Sequence, residues 1–375
     1  MEWFEVENVA EISSPSLLVW PERVKGNIRK MIDHVGGDTS RLRPHVKTHK
    51  LAEVVRLQID AGISRFKCAT VAEAEMTADA GGVDVLLAYQ PVGPNIGRML
   101  SLTEKHPDTR FACVTDDPTI AAAIVDAWSA SGLGDRFRVF VDIDCGMHRT
   151  GIEPGDGAAA LCRQLSEAGC WGGLHIYDGH VHNPGEDERQ VAFDEAFEHV
   201  EKFVADLIAD GLEPPETVGG GSPTFGLHAA QKGWQCSPGT TLFWDAGYGT
   251  KFPDLDFEVA AVLLTRVISK PGTNHVCLDL GHKAVAGENP IENRVRFLNF
   301  PEQAKPVGQS EEHLVLAFEE GDPARDEVNV GDVVYGVPWH VCPTVALHQE
   351  AVIVENGRAT GERWTIHARA RRLTV

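Results

Sequence analysis

Arg43-Pro44-His45-Val46-Lys47-Thr48-His49-Lys50 sets two lysines and two histidines at the end of a short apolar–polar alternation. Leu42, Pro44 and Val46 keep the two-residue period of a strand, and an amphipathic helical pattern begins at Leu51. The stretch therefore reads as a strand that ends in a polar turn before a helix, with four basic side chains crowding its mouth. A lysine held among cations in a partly dry site loses some of its preference for the proton. The neutral amine is the form that makes Schiff bases. A solvated basic turn has the same composition, so the neighbouring pattern has to decide between the two.

That pattern is repetitive. Strand-like runs at 17–20, 42–47, 65–68, 85–88, 110–114, 137–143, 173–177 and 217–220 alternate with helical runs at 21–35, 51–61, 71–80, 119–130 and 190–210. The last helical run is the clearest, with Phe193, Phe197, Val200, Val204, Leu207 and Ile208 on one face. Eight strand–helix units over roughly 240 residues predict an α/β fold, a (β/α)8 TIM barrel spanning residues 15–252. A doubly wound sheet competes, but it usually has fewer strands. Beyond residue 252 the texture becomes β-rich, with strand patterns at 257–269, 275–280, 313–318, 333–337, 351–355 and 363–368 and a turn at Asn356-Gly357. An all-β domain over 253–375 follows, with the N-terminal segment 1–14 packed on it, residues 3–12 as an extra strand.

Size and charge narrow the function. The chain has 375 residues, 43% of them hydrophobic, and a formal net charge of −21. Such an acidic protein is a poor partner for nucleic acid or an anionic membrane and suits soluble metabolism. The acidic start Met-Glu-Trp-Phe-Glu-Val-Glu lacks the features of a signal peptide, and no apolar run has the length of a membrane span. The eight cysteines show no paired spacing, which fits reduced thiols in a cytoplasm.

On a barrel, functional groups stand at the C-terminal ends of strands. Lys47, the run 142–151 with Arg149, the run 177–182 with Tyr177, His180 and His182, and the glycine-rich run 219–224 all fall at predicted strand ends. In Gly219-Gly220-Gly221-Ser222-Pro223-Thr224, backbone N–H groups and hydroxyls could cradle a phosphate, with Ser237-Pro238-Gly239-Thr240 as a second edge. An ordinary tight turn accounts for either run by itself. His340 and Cys342, flanked by Pro338 and Pro343, would share one face of an extended backbone and could bite one metal. A buried structural cysteine beside a satisfied histidine is the plainer reading, and His313 and His348 are further candidate ligands. Arg149 is suited to face a cofactor ring nitrogen, which needs a permanently charged group.

Taken together, the segments 43–50, 142–151, 219–224 and 333–344 resemble the pyridoxal-phosphate (PLP) enzymes of the alanine racemase fold type, and more narrowly the D-threonine aldolase and D-serine dehydratase family. The resemblance spans nearly the whole chain; its specific parts are Pro44–Lys50 and His340-Val341-Cys342-Pro343-Thr344. It implies a homodimer acting on a small amino-acid substrate, with PLP and a divalent metal, Zn²⁺ or Mn²⁺, as cofactors. By the same resemblance Lys47 is the Schiff-base lysine, Arg149 lies near the pyridine nitrogen and Tyr177 borders the ring. Gly220, Gly221, Ser222, Gly239 and Thr240 hold the phosphate, and His340 and Cys342 hold the metal. His182 matches the base that deprotonates the β-hydroxyl, with His180 as its rival because the spacing from Tyr177 is one residue short. A cysteine as second ligand resembles the dehydratases, whereas a histidine pair after Tyr177 resembles the aldolases. The resemblance therefore implies cleavage of D-β-hydroxy-α-amino acids to glycine and an aldehyde. Dehydration of D-serine or 3-hydroxy-D-aspartate to a keto acid and ammonia is the alternative. An amino-acid racemase and a non-catalytic PLP-binding protein are more distant readings.

Overall fold

The computed structural model describes residues 2–375, divided into two compact units. One holds Ile28–Lys47, Ala52–Gly239 and Ala370–Val375; the other holds the N-terminal residues through Asn27, Thr48–Leu51 and Thr240–Arg369.

The first unit is built on seven parallel strands in sequence order: Arg65–Cys68, Asp84–Leu87, Arg110–Thr115, Phe137–Ile143, Trp171–Ile176, Thr217–Gly219 and Gln235–Cys236. Its two edges meet on one segment. Leu42 bridges Cys236 and His45 bridges Lys67, both in parallel. The Arg43 N–H donates to Cys236 O at 2.8 Å and the Val46 N–H to Lys67 O at 2.9 Å. Residues 42–46 thus close an eight-stranded ring, and Lys47 follows its first strand. Leu86, Ala112, Val114, Phe140 and Val218 form an apolar cluster within it.

Two strand assignments change. Residues 17–20 are not a barrel strand: Ser16–Val19 lies in the second unit, antiparallel to Ala261–Ser269 and parallel to Glu350–Glu355. A short run buried on both faces carries no periodicity to say which sheet it joins. The missing barrel strand is Gln235–Cys236, whose two residues are too few to show an alternation. On the helix Glu186–Ala209 the buried face runs through Phe193, Phe197, Val200, Phe203 and Leu207, while Ile208 is exposed.

The second unit is a nine-stranded, mostly antiparallel sheet. Phe4, Val6 and Ile12 enter its core with Leu18, Trp20, Val262, Leu264, Tyr335, Val352 and Val354. The Val6 N–H donates to the Tyr335 hydroxyl at 3.1 Å. Residues 3–12 reach this core through turns and the 3-10 helix Val9–Glu11, not as the expected extra strand. Among the described residues no helix is long and apolar enough to cross a membrane. All eight cysteines are thiols, seven of them buried.

Candidate functional site

At the C-terminal ends of the barrel strands lies a cavity of about 570 Å³, within the usual range for small-molecule pockets. His45, Lys47, Lys67, Asp142, Arg149, His175 and Tyr177 help to line it. Lys47 arrives there because the strand 42–46 ends one residue before it, and its backbone N–H donates to His45 Nδ1 at 3.3 Å. Tyr177 follows the sixth strand. The Arg149 guanidinium carbon stands 4.6 Å from its ring centroid, Lys67 Nζ 5.7 Å and Lys47 Nζ 5.9 Å.

The crowd of four basic residues read from the sequence is dispersed. His49 is buried in the other unit, its ring 6.2 Å from that of Phe243. The Leu51 N–H donates to its Nδ1 at 3.1 Å, and burial pushes the imidazole down to about 3. Lys50 belongs to that unit as well. Arg43 is wholly buried in ion pairs with Asp84 at 2.5 Å and Glu216 at 2.9 Å. The second lysine that shares a wall with Lys47 is Lys67, on the adjacent strand. Sequence reading missed it because Arg65-Phe66-Lys67-Cys68 shows one lysine in an apolar strand, with no sign of the Asp142 and His175 that lie far away in the chain.

The glycine run bends where a side chain cannot fit. Gly220 has φ +73°, and a Cβ there would collide with the His228 ring. That imidazole is locked beneath the loop: its Nε2 lies 2.8 Å from Asp178 Oδ2, and Phe193, Phe197 and Trp234 surround the ring. A Cβ on Gly221 would come within 3.2 Å of Tyr177. The buried Ser222 hydroxyl accepts from the Gly239 N–H at 3.1 Å, and the buried Thr224 hydroxyl has no hydrogen-bond partner among the described residues. A bare backbone with an unspent buried donor fits an anion such as a phosphate. Gly220→Ala is expected to destabilise the fold by about 2–4 kcal/mol, from overpacking and an unfavourable backbone conformation. Denaturant unfolding measures this, and a loss under 0.5 kcal/mol would show that the loop yields easily.

The proposed metal ligands occupy a different local structure from the extended one expected. His340 is the N-cap of the helix Val341–Leu347, which places Cys342 in its first turn. Pro343 is tolerated there because first-turn N–H groups lack helical acceptors. The side chains still converge: Cys342 hydrogen-bonds His340, and Glu288 Oε1 lies 2.8 Å from His340 Nδ1. Burial opposes the imidazolium, but Cys342, Glu288 and Asp245 outweigh it and hold His340 up at about 9. The Cys342 thiol also lies 3.2 Å from the Thr48 hydroxyl and 3.7 Å from that of Thr240. His348 does not join the group; its Nε2 lies 2.7 Å from the Ala284 carbonyl oxygen. Among the described residues no three His, Cys, Asp or Glu side chains converge as a ready metal cage.

Of the two candidate bases, His182 is exposed, and His180 is half-buried with an unpartnered Nδ1. His180 Nε2 would lie 3.5 Å from a Cβ placed on Gly146. Neither lines the barrel cavity.

Comparison with known proteins brings these features together. Residues 20–246 match the family model described as "Alanine racemase, N-terminal domain", and residues 260–354 match a serine dehydratase domain model. The chain is 29% identical to the 3-hydroxy-D-aspartate aldolase of Paracoccus denitrificans (strain Pd 1222), over 96% of this chain and 93% of that protein. It is 28% identical to the D-threonine aldolase of an Arthrobacter species, over 96% and 94%. A D-threo-3-hydroxyaspartate dehydratase from a Delftia species is 25% identical, over 91% and 93%. The crystal structure of D-threonine aldolase from Filomicrobium marinum superposes with a TM-score of 0.87 at 28% identity, covering 96% of this chain and 97% of that one.

Proposed function

We propose, on the premise that this chain belongs to the alanine racemase N-terminal domain family, that it is a PLP-dependent lyase of D-β-hydroxy-α-amino acids. The reading is aldol cleavage to glycine and an aldehyde first, with dehydration as the alternative. The observation that carries it is the cavity wall on which Lys47, Arg149 and Tyr177 stand together at the ends of barrel strands. The named relatives include both aldolases and a dehydratase.

PLP bound in this cavity supplies a sink for the electrons left at Cα when a bond to it breaks. Lys47 would hold it covalently, Arg149 would present a fixed positive charge to its ring, Tyr177 would border the ring, and Gly220, Gly221, Ser222 and Gly239 would carry its phosphate. Arg149 cannot lose its proton near neutral pH, so it keeps the charge it presents. The glycine loop, braced by His228, binds with backbone N–H groups that need no rearrangement.

The divalent metal belongs to the same proposal, as does the homodimer. Glu288 occupies His340 Nδ1 and so leaves Nε2 as the ligating nitrogen, the arrangement in which a carboxylate orients a metal-bound imidazole. With Cys342 this makes two protein ligands, leaving positions for water and a substrate hydroxyl. The thiolate favours zinc; manganese would suit an oxygen-rich remainder. His182 or His180 takes the hydroxyl proton for cleavage. For dehydration, Lys47 would take the α-proton instead.

Product analysis with D-threonine, D-serine and 3-hydroxy-D-aspartate, with and without chelator, tests the proposal. Glycine with an aldehyde identifies the aldolase; a keto acid with ammonia identifies the dehydratase. Turnover of only the L-forms overturns the reading. His182→Ala is expected to lower aldol cleavage by about 10²- to 10⁴-fold while the cofactor spectrum is kept, as for loss of a positioned base. If His180→Ala has that effect and His182→Ala none, the base is His180.

A further inference from the structure

Lys67 is a lysine inside a barrel, 2% exposed, and neither the proposed cofactor contacts nor the metal ligands use it. Its ammonium nitrogen opens on the cavity that Lys47 lines and is backed by a polar chain across the barrel interior. Lys67 Nζ lies 3.5 Å from His175 Nε2, and His175 Nδ1 lies 2.7 Å from Asp142 Oδ1. Those three residues come from the second, sixth and fifth strands. All three are buried, so the chain is shielded from bulk water except through the cavity.

The protonation pattern follows from the geometry. Burial keeps His175 below the usual imidazole range, against the pull of Asp142. A neutral His175 that donates from Nδ1 to the Asp142 carboxylate presents Nε2 as an acceptor to Lys67. Burial, then the charge of Lys47, lowers Lys67, with Arg43 acting the same way; Asp178 and Asp142 oppose them, and the outcome is about 7. Tyr177 faces the amine with its ring, and Arg149 adds positive charge near His175. An amine poised between its two forms at working pH is suited to both give and recover a proton.

We propose that Lys67, held by His175 and Asp142, is a proton-carrying residue of the barrel cavity that delivers the proton to the α-carbon of the bound amino acid. This rests on the lyase reading given above. Cleavage sends the hydroxyl proton to a base and leaves an electron pair at Cα, and glycine is released only when a new C–H bond forms there. In that step an N–H bond of the Lys67 ammonium breaks, its electron pair stays on Nζ, and the amine regains a proton from solvent. Lys47 is thereby left to its bond with the cofactor, and two amines divide two tasks.

Two measurements decide it. In cofactor-free protein the Lys67 side-chain carbon, assigned by its loss in Lys67→Arg, is followed by NMR against pH; a midpoint near 7 that shifts in His175→Asn is expected. In holoenzyme, exchange of the glycine α-proton with D₂O is followed by NMR. Lys67→Met is expected to slow it by about 10²-fold or more with the cofactor spectrum retained, and added primary amines are expected to restore part of it. Should Lys67→Met fail to fold, His175→Asn serves in its place, with slowed exchange and a displaced pH optimum expected. A midpoint above pH 10, or undiminished exchange in a folded variant, overturns the proposal. If wild-type protein turns over no D-β-hydroxy amino acid, the lyase reading falls, and the proton-delivery role falls with it. The titration still reports separately whether Lys67 is a neutral-pH proton store.

Discussion

Lys47→Ala is expected to abolish the visible-edge absorbance of bound PLP and to lower turnover by about 10⁴-fold or more, since the covalent attachment and an amine base go together. Borohydride reduction of wild-type protein followed by mass spectrometry should place the label on Lys47. The structure makes this a sharper test than the sequence could, because it introduces a competitor. Lys67 lines the same cavity and burial lowers its proton affinity, so a larger share of its amine is neutral near pH 7. That neutral share makes Lys67 a competent nucleophile. Access favours Lys47, which is half-buried, whereas Lys67 is almost wholly enclosed and engaged with His175. A covalent carrier must also swing away when substrate takes its place. An amine held by His175 inside the barrel is poorly placed for that motion, so position outweighs the neutral fraction. Label on Lys67, Lys50 or Lys283 would make the assignment wrong; Lys283 is the weakest rival, exposed and paired with Glu311 and Glu312.

The second large effect concerns the metal. Chelation should stop turnover while the fold and the absorbance of bound PLP persist, and zinc or manganese should restore activity. Lewis-acid stabilisation is worth several kcal/mol, so its loss should cost more than about 10²-fold in rate. Cys342→Ala should behave as chelation does, and Cys342→Asp should keep a metal and favour the aldolase outcome. Glu288→Gln adds a test that only the structure suggests: as the partner of His340 Nδ1 it should weaken metal affinity by about 10- to 100-fold. Elemental analysis accompanies each assay. Full activity in metal-free protein would remove His340 and Cys342 from the reaction and return the racemase reading to favour.

By itself the sequence determined the repeating strand–helix architecture, the β-rich second half and the residues at strand ends where chemistry could sit. Those features are local: two-residue and 3.6-residue periods, glycine runs and a His-x-Cys pair are all visible within a few positions. The resemblance of the motifs to a PLP family then implied roles for Lys47, Arg149 and Tyr177, and the structure brings these three to one cavity wall.

What only the tertiary structure decided depends on long-range partners. The strand Ser16–Val19 joins the second sheet because its hydrogen-bond partners are at 261–264 and 351–353, and nothing in four apolar-rich residues encodes that choice. The two-residue strand at Gln235–Cys236 exists because Val218 and Gly219 pair with it on one side and Leu42 bridges Cys236 on the other. His340 and Cys342 meet at a helix N-terminus whose first N–H is held by Asp245, which carries no local signal of its own: its Oδ2 accepts from the Val341 N–H at 3.0 Å from 96 residues away. Lys67 gained its character in the same way. One lysine in an apolar strand is an unremarked residue until the barrel closes, and Asp142 and His175 then face it in a buried space open only through the cavity, where burial and the surrounding charges set its proton affinity.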